Sequence, residues 1–305
     1  MLLNIRHIAR VGRNGYLHCQ WANYGFTDEM SIEVGAVFGL NHVWRDKSEQ
    51  WHEDCIGARK KQGAAVMCWG MIGWGWKGPF YVWSAETKEE KAEATRIIAE
   101  LNMKNAAEEK RLNNGWRQSE EWKLLREREL SDARLARIAG KEAGQKIKTT
   151  QSWRGKKYKI KKLERGDSRG VDSWRYVQLL CKPLLWPTCK VRGTVNPQFR
   201  LMEDNAPSHD SDFTNREREA FGIEKVDWPP NSPDFNPIKR IWWLMKRRIL
   251  RRRGSEKIST PAAMAIALKE EWERITIDEI NQEIVKLPKI MENCILQSGG
   301  NKFQA

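Results

Sequence analysis

Two stretches of this chain combine acids, amides and prolines in an order that could organise metal-dependent chemistry. One reads Met202-Glu203-Asp204-Asn205-Ala206-Pro207-Ser208-His209. The other reads Trp228-Pro229-Pro230-Asn231-Ser232-Pro233-Asp234-Phe235-Asn236-Pro237-Ile238-Lys239-Arg240-Ile241-Trp242. An apolar run, Phe199 to Glu203, leads into Asp204, so a carboxylate ends a buried strand. Carboxylates placed in that way suit hard divalent cations, which take oxygen ligands and need their charge offset. The plain alternative for Asp204 is a turn or helix-cap acid. Upstream, Phe26-Thr27-Asp28-Glu29-Met30-Ser31 carries a second such acid, and on its own context Asp28 reads equally well as an ordinary strand-end acid, since acids are common at turns. His209 reads as a polar neighbour or a loop residue, and Glu29, Glu33 and Glu203 as solvated neighbours.

These motifs resemble the catalytic core of mariner-superfamily DDE transposases. Asp204 falls on the second acid, which closes a strand in a "DNAPxH" signature, and Asp28 falls on the first. The third acid of that family opens a helix in "SPDxNPIE", and 34 residues separate Asp204 from the equivalent position 239, the spacing of one main branch. The resemblance covers roughly 24–83 and 172–275. It implies a ribonuclease-H-like mixed sheet flanked by helices. It also implies hydrolysis and strand transfer of DNA phosphodiesters by two Mg²⁺ or Mn²⁺ ions, one activating the nucleophile and one stabilising the leaving oxygen. Asp28 and Asp204 would be the metal ligands, DNA the partner and the nucleus the location.

Position 239 departs from that pattern, because it is Lys. An ammonium has three donors and no acceptor lone pair, so it cannot ligate a metal. Ile238 to Gly254 contains no acid that could replace it, and Asp234 matches a loop aspartate of the family. The expectation is that Lys239 abolishes or severely weakens two-metal chemistry, its ammonium pairing with Asp28 and Asp204 in place of one cation. The competing expectation is that Lys239 swings to solvent and another acid enters. Relatives in the family also carry paired helix-turn-helix modules ahead of the core. Only 27 residues precede Asp28, so sequence-specific end recognition is expected to be missing. Two readings follow: a transposase-type endonuclease core with a damaged third ligand, or a non-catalytic nucleic-acid-binding protein derived from one.

The elements that must position these residues can be read from periodicity. Tyr24 to Glu33, Val66 to Gly73 and Pro79 to Trp83 read as strands, with Gly73, Gly75 and Gly78 marking a hairpin or bulge. From about Ala85 to Gly170 charges alternate in sign around helically spaced leucines and isoleucines, which predicts a helical, charged insertion. Trp174 to Leu185 reads as a helix, Asp212 to Phe221 as a helix closed by Gly222, and Glu224 to Trp228 as a strand. Pro237 to Arg252 and Pro261 to Arg274 are helices, and Pro288 interrupts a last helical run from Asp278 to Leu296. Strands followed by strand–helix–strand–helix make the class α/β. The division is a remnant at 1–23, core pieces at 24–84 and 172–275, the basic helical insertion at 85–171 between them, and a helical tail at 276–305.

Composition adds a partner class. The chain has 305 residues and a net charge of +14, which favours a polyanion. Two basic runs are candidate phosphate contacts: Lys156, Lys157, Lys159, Lys161 and Lys162, between Arg154 and Arg165, and Lys246, Arg247, Arg248, Arg251 and Arg252, followed by Arg253. Such runs give salt-dependent, sequence-independent affinity, although an import signal or a solvated helix face has the same composition. Of the sixteen tryptophans, Trp242 reads as core and Trp243 sits beside it. Six scattered cysteines (Cys19, Cys55, Cys68, Cys181, Cys189 and Cys294) form no zinc spacing and read as reduced. No secretory signal is visible, and the best apolar run, Ala64 to Trp76, is too short to span a bilayer. No membrane partner is expected, and pairing with a second copy as a homodimer is left open.

Overall fold

A computed structural model describes residues 21–34, 64–165, 170–228, 232–253 and 256–297. The expectations for residues 1–20, for Cys19 and Cys55, and for Pro229, Pro230 and Asn231 lie outside the described residues. Two compact units are present, one from residues 1–85 and 169–305 and one from 86–168.

The first unit is built on a mixed sheet of order β3-β2-β1-β4. Strands β1 (Tyr24–Glu33), β2 (Ala65–Gly73) and β3 (Trp76–Val82) form an antiparallel meander. Gly75 makes the tight β2–β3 turn with a φ of 74°, and the register slips between Gly70 and Ile72. The glycine signal therefore marks both a turn and a bulge. Strand β4 (Arg200–Met202) pairs with β1 in parallel, Phe26 beside Met202. A parallel partner demands a long crossover, and the chain between β3 and β4 supplies one.

After the crossover the chain enters a continuous helix, α3, that changes pitch. It is α-helical at Ser173–Arg175, π-helical at Tyr176–Leu185 and α-helical again at Trp186–Val195. It thus runs ten residues beyond the expected end at Leu185. Pro183 lies inside it, where it offers no N–H and crowds the preceding turn, and the wider register accommodates both defects. Helix α4 (Asp212–Phe221) ends as expected at Gly222, whose φ is 69°. Glu224 to Trp228 does not form the expected strand. One parallel bridge joins Lys225 to Leu201, with Val226 N donating to the Leu201 carbonyl at 2.8 Å.

Helices α5 (Ile238–Arg252), α6 (Pro261–Arg274), α7 (Ile277–Ile284) and α8 (Leu287–Leu296) follow. The run is interrupted as expected: α7 ends at Ile284 and α8 starts at Leu287, with Pro288, which has no N–H to offer, in its first turn. One apolar cluster joins Phe26, Met30 and Ile32 of β1 to Trp242 and Met245 of α5 and Trp272 of α6. No described helix is long and apolar enough to cross a membrane.

The second unit holds the two helices α1 (Lys88–Gln118) and α2 (Glu120–Glu142), separated by Ser119, which caps α2 by accepting from Trp122 N. A Thr87–Glu90 capping box starts α1. After α2 the chain returns along α1 as an extended strap ending at Arg165.

Gly70 shows how tightly the first unit is fitted. It pairs with Asp28 across the ladder, and a Cβ there would lie 2.7 Å from Trp242 and 2.8 Å from Trp272. We therefore expect Gly70→Ala to cost about 1–3 kcal/mol by overpacking. A urea melt should show this as a lower midpoint with an unchanged slope; an unchanged midpoint would mean that the two indoles are not held there.

Candidate active site

Strand alternation sends successive residues of β1 to opposite faces of the sheet. Phe26, Asp28, Met30 and Ile32 face α5, while Thr27 and Glu29 face the other side. The β1–β4 pairing ends with Phe26 beside Met202, two residues short of Asp28 and of Asp204, and leaves the two acids close enough for the Asp204 charge to act on Asp28. The sheet therefore brings together the two acids singled out by the sequence, though Asp28 stands in the middle of β1 and not at its end.

Asp28 is 5% exposed. The Lys239 ammonium donates to both of its carboxylate oxygens at 2.9 Å, and Trp242 Nε1 donates to Oδ2 at 2.9 Å. Local sequence explains the aim of Lys239. Asn236 Nδ2 holds the Thr27 carbonyl at 2.9 Å, Pro237 opens α5, and the first turn then faces β1. Lys239 does not swing to solvent. Asp234 is exposed and does not enter the site. Burial pushes the Asp28 carboxyl up to about 6, and the Lys239 charge offsets only part of that.

Asp204 is engaged by a different partner. Its Oδ1 accepts from Ala206 N at 3.0 Å, an Asx turn, and lies 2.7 Å from His209 Nδ1. The turn at Ala206 to His209 folds the histidine back onto the acid. His209 is 3% exposed, and its Nε2 lies 3.1 Å from Glu29 Oε1. Both ring nitrogens face carboxylates, which only accept when ionised, so the imidazolium, donating from both, satisfies the geometry. Burial opposes its charge, but Glu29 and Asp204 outweigh burial and raise His209 well above its ordinary value. The same histidine bond holds Asp204 down, at about 2.

Glu29 and Glu203 are therefore not the solvated neighbours expected. Glu29 is bound to His209. Glu203 is 1% exposed, accepts from the Tyr176 hydroxyl and lies 3.8 Å from Arg218 Nη1. Tyr176 in turn packs its ring on His209 at 4.3 Å. Nothing in the sequence linked Tyr176 to this site; the contact needs the crossover helix to be laid over the sheet. Among the described residues, no three His, Cys, Asp or Glu side chains are gathered to hold a metal ion.

The basic runs divide by environment. Lys156 pairs with Glu109 at 2.7 Å and Lys157 with Glu121 at 2.5 Å. Arg248 pairs with Glu279, and Arg252 with Glu256, Glu270 and Glu271. Lys159, Lys161, Lys162 and Arg251 are exposed, while Lys246 is half-buried. Arg247 lies over the exposed Trp243 ring at 4.5 Å.

The pH dependence of the histidine bridge follows from these shifts. Asp204 is depressed, so its contribution is present above its unfolded value of 3.8 and is lost as pH falls through about 2. His209 is raised, so its contribution is complete below 6.5 and is lost as pH climbs through its folded value. The stability gap between the natural chain and His209→Gln should therefore stay flat from about pH 4 to 6.5 and shrink on either side. Denaturant melts across that range measure it; a gap independent of pH would show that His209 is not charged in the fold.

The central part of the chain, residues 130–260, matches the model of the DDE superfamily endonuclease family. The chain is 29% identical over 101 residues to the Tc1 transposase of Caenorhabditis elegans, covering 33% of this chain and 36% of that protein. It is 28% identical over 108 residues to the Tcb2 transposase of Caenorhabditis briggsae, covering 35% and 38%. The match thus spans little more than a third of the length of these relatives. In fold the chain is similar to the Mos1 mariner paired-end complex with Mn (TM-score 0.53, 14% identity, 98% of this chain and 62% of that one). It is also similar to the Mos1 strand transfer complex (TM-score 0.51, 13% identity, 99% and 61%). Motif and relatives agree over the middle of the chain, where residues 130–260 are similar to the DDE endonuclease domain of Tc1/mariner transposases, and the mixed sheet has the fold of the Mos1 structures.

Proposed function

We propose that this chain is a DNA-associated transposase core whose phosphodiester chemistry is silenced by Lys239. The observation that carries this reading is the ammonium on both oxygens of Asp28 at 2.9 Å. A metal ion would need those oxygens as acceptors, and the lysine places a positive charge where a dication would have to bind. Asp204 keeps only Oδ2 for a metal, since its Oδ1 is already bonded to His209 and Ala206. An imidazolium has no lone pair to give a metal. As arranged, these residues do not fit the Mg²⁺ or Mn²⁺ pair that the family resemblance implies, and no cleavage step is derived through it.

The Lys239 arrangement also supports a scaffold kept for its fold. One cation replaces another against Asp28, so the buried carboxylate stays neutralised without metal. The exposed cations and the net charge of +14 support association with DNA. The nuclear location and pairing with a second copy belong to the same reading and rest on the family resemblance.

Nicking of supercoiled DNA in Mn²⁺ tests the proposal, comparing the natural chain with Lys239→Glu and with Lys239→Glu/Asp204→Ala. The natural chain should be silent. Lys239→Glu should nick at least about 10-fold faster, a barrier change of about 1.4 kcal/mol or more, and the added Asp204→Ala should remove that gain. Nicking by the natural chain that disappears on Asp204→Ala would refute the silencing. Silence from all three would favour the second reading, a nucleic-acid-binding derivative with no recoverable site.

A further inference from the structure

The helical unit contains a second construction unrelated to the acids. Its strap is held to α1 through backbone atoms. Asn113 Nδ2 donates to the Tyr158 carbonyl at 2.8 Å, and its Oδ1 accepts from Tyr158 N at 3.1 Å. Glu109 accepts from Ile160 N at 2.7 Å. Asn102 repeats the double contact on Leu163, at 2.9 Å in both directions.

The spacing matches the two periodicities. Four helical residues, Asn113 to Glu109, advance about 6 Å, and seven, Glu109 to Asn102, about 10.5 Å. Two extended residues, Tyr158 to Ile160, advance about 6.6 Å, and three, Ile160 to Leu163, about 10 Å. The strap therefore runs straight and antiparallel along the helix, and its lysines are held in fixed places.

A cleft of about 390 Å³ lies along this seam. Its α1 wall presents Lys110, Asn114 and Arg117, at i, i+4 and i+7 on one stripe, and its strap wall presents Lys156 and Lys162. Lys156 is paired with Glu109. Lys110, Arg117 and Lys162 have no acid partner among the described residues. Cations and an amide converge here on walls whose backbones are fixed by hydrogen bonds, and the one acid of the lining, Glu109, is already bonded to Lys156 and to the strap, so the cleft offers an anion a net positive surface at set spacing.

We infer that this cleft binds phosphate groups, from a nucleic-acid backbone or from a free polyphosphate. The nucleic-acid source rests on the function proposed above; the free polyphosphate does not.

The full chain is tested in EDTA, so that no metal-dependent activity enters the result. The probes are tripolyphosphate by calorimetry and a labelled DNA duplex by anisotropy across a salt series. Lys110→Gln/Arg117→Gln/Lys162→Gln is compared with the equally charged control Lys141→Gln/Lys146→Gln/Lys148→Gln. The cleft variant should lose affinity at least tenfold more than the control, and its duplex salt slope should fall by about 2 to 3, near 0.9 per lost phosphate contact. Loss on tripolyphosphate alone identifies a small polyphosphate, and loss on duplex alone a nucleic-acid backbone. Asn102→Ala/Asn113→Ala, which leaves the charge unchanged, should weaken the same probe by releasing the strap. Equal loss in the cleft and control variants, or no binding of either probe by the natural chain, would overturn the site. Natural affinity in a folded Asn102→Ala/Asn113→Ala variant would overturn the role of the strap.

Discussion

The buried carboxylate of Asp28 is the constraint around which the first unit is arranged. An ionised acid in the middle of a covered strand loses several kcal/mol of hydration unless it is paired and hydrogen-bonded. Three features of the chain answer that cost together. Gly70 leaves space above the neighbouring strand, Trp242 enters that space and donates its indole proton, and Lys239 supplies the charge. None acts alone, because the indole reaches the acid only where Gly70 has no side chain.

The opposite face of the sheet solves a similar problem by other means. His209 is shared between Glu29 and Asp204, and Tyr176 packs on the ring while donating to Glu203. A buried imidazolium between two acids compensates charge that would otherwise repel across the sheet. The π-helical turn of α3 places Tyr176 there.

In the helical unit the governing demand is satisfaction of backbone groups. A strap outside any sheet has N–H and C=O groups that need partners. Asn102, Glu109 and Asn113 supply them at intervals set by the helix, so the strap that carries Lys156, Lys157, Lys159, Lys161 and Lys162 is held extended despite its self-repulsion.

In the sequence alone, local periodicity and turn residues at fixed offsets marked the strands of the meander and helices α4 to α6, whereas Asp28 and Asp204 were singled out by the family resemblance of the motifs around them. The sequence also located the odd residue, since the chemistry of lysine at position 239 needs no coordinates. Tertiary structure decided the rest. It turned Glu203 from a surface acid into a buried one, reduced Glu224 to Trp228 to a single bridge, and brought Tyr176 and His209 together. It also showed which cations are already paired within the molecule. Those outcomes depend on contacts between residues tens to hundreds of positions apart, and local patterning carries no record of what a side chain will meet across a sheet.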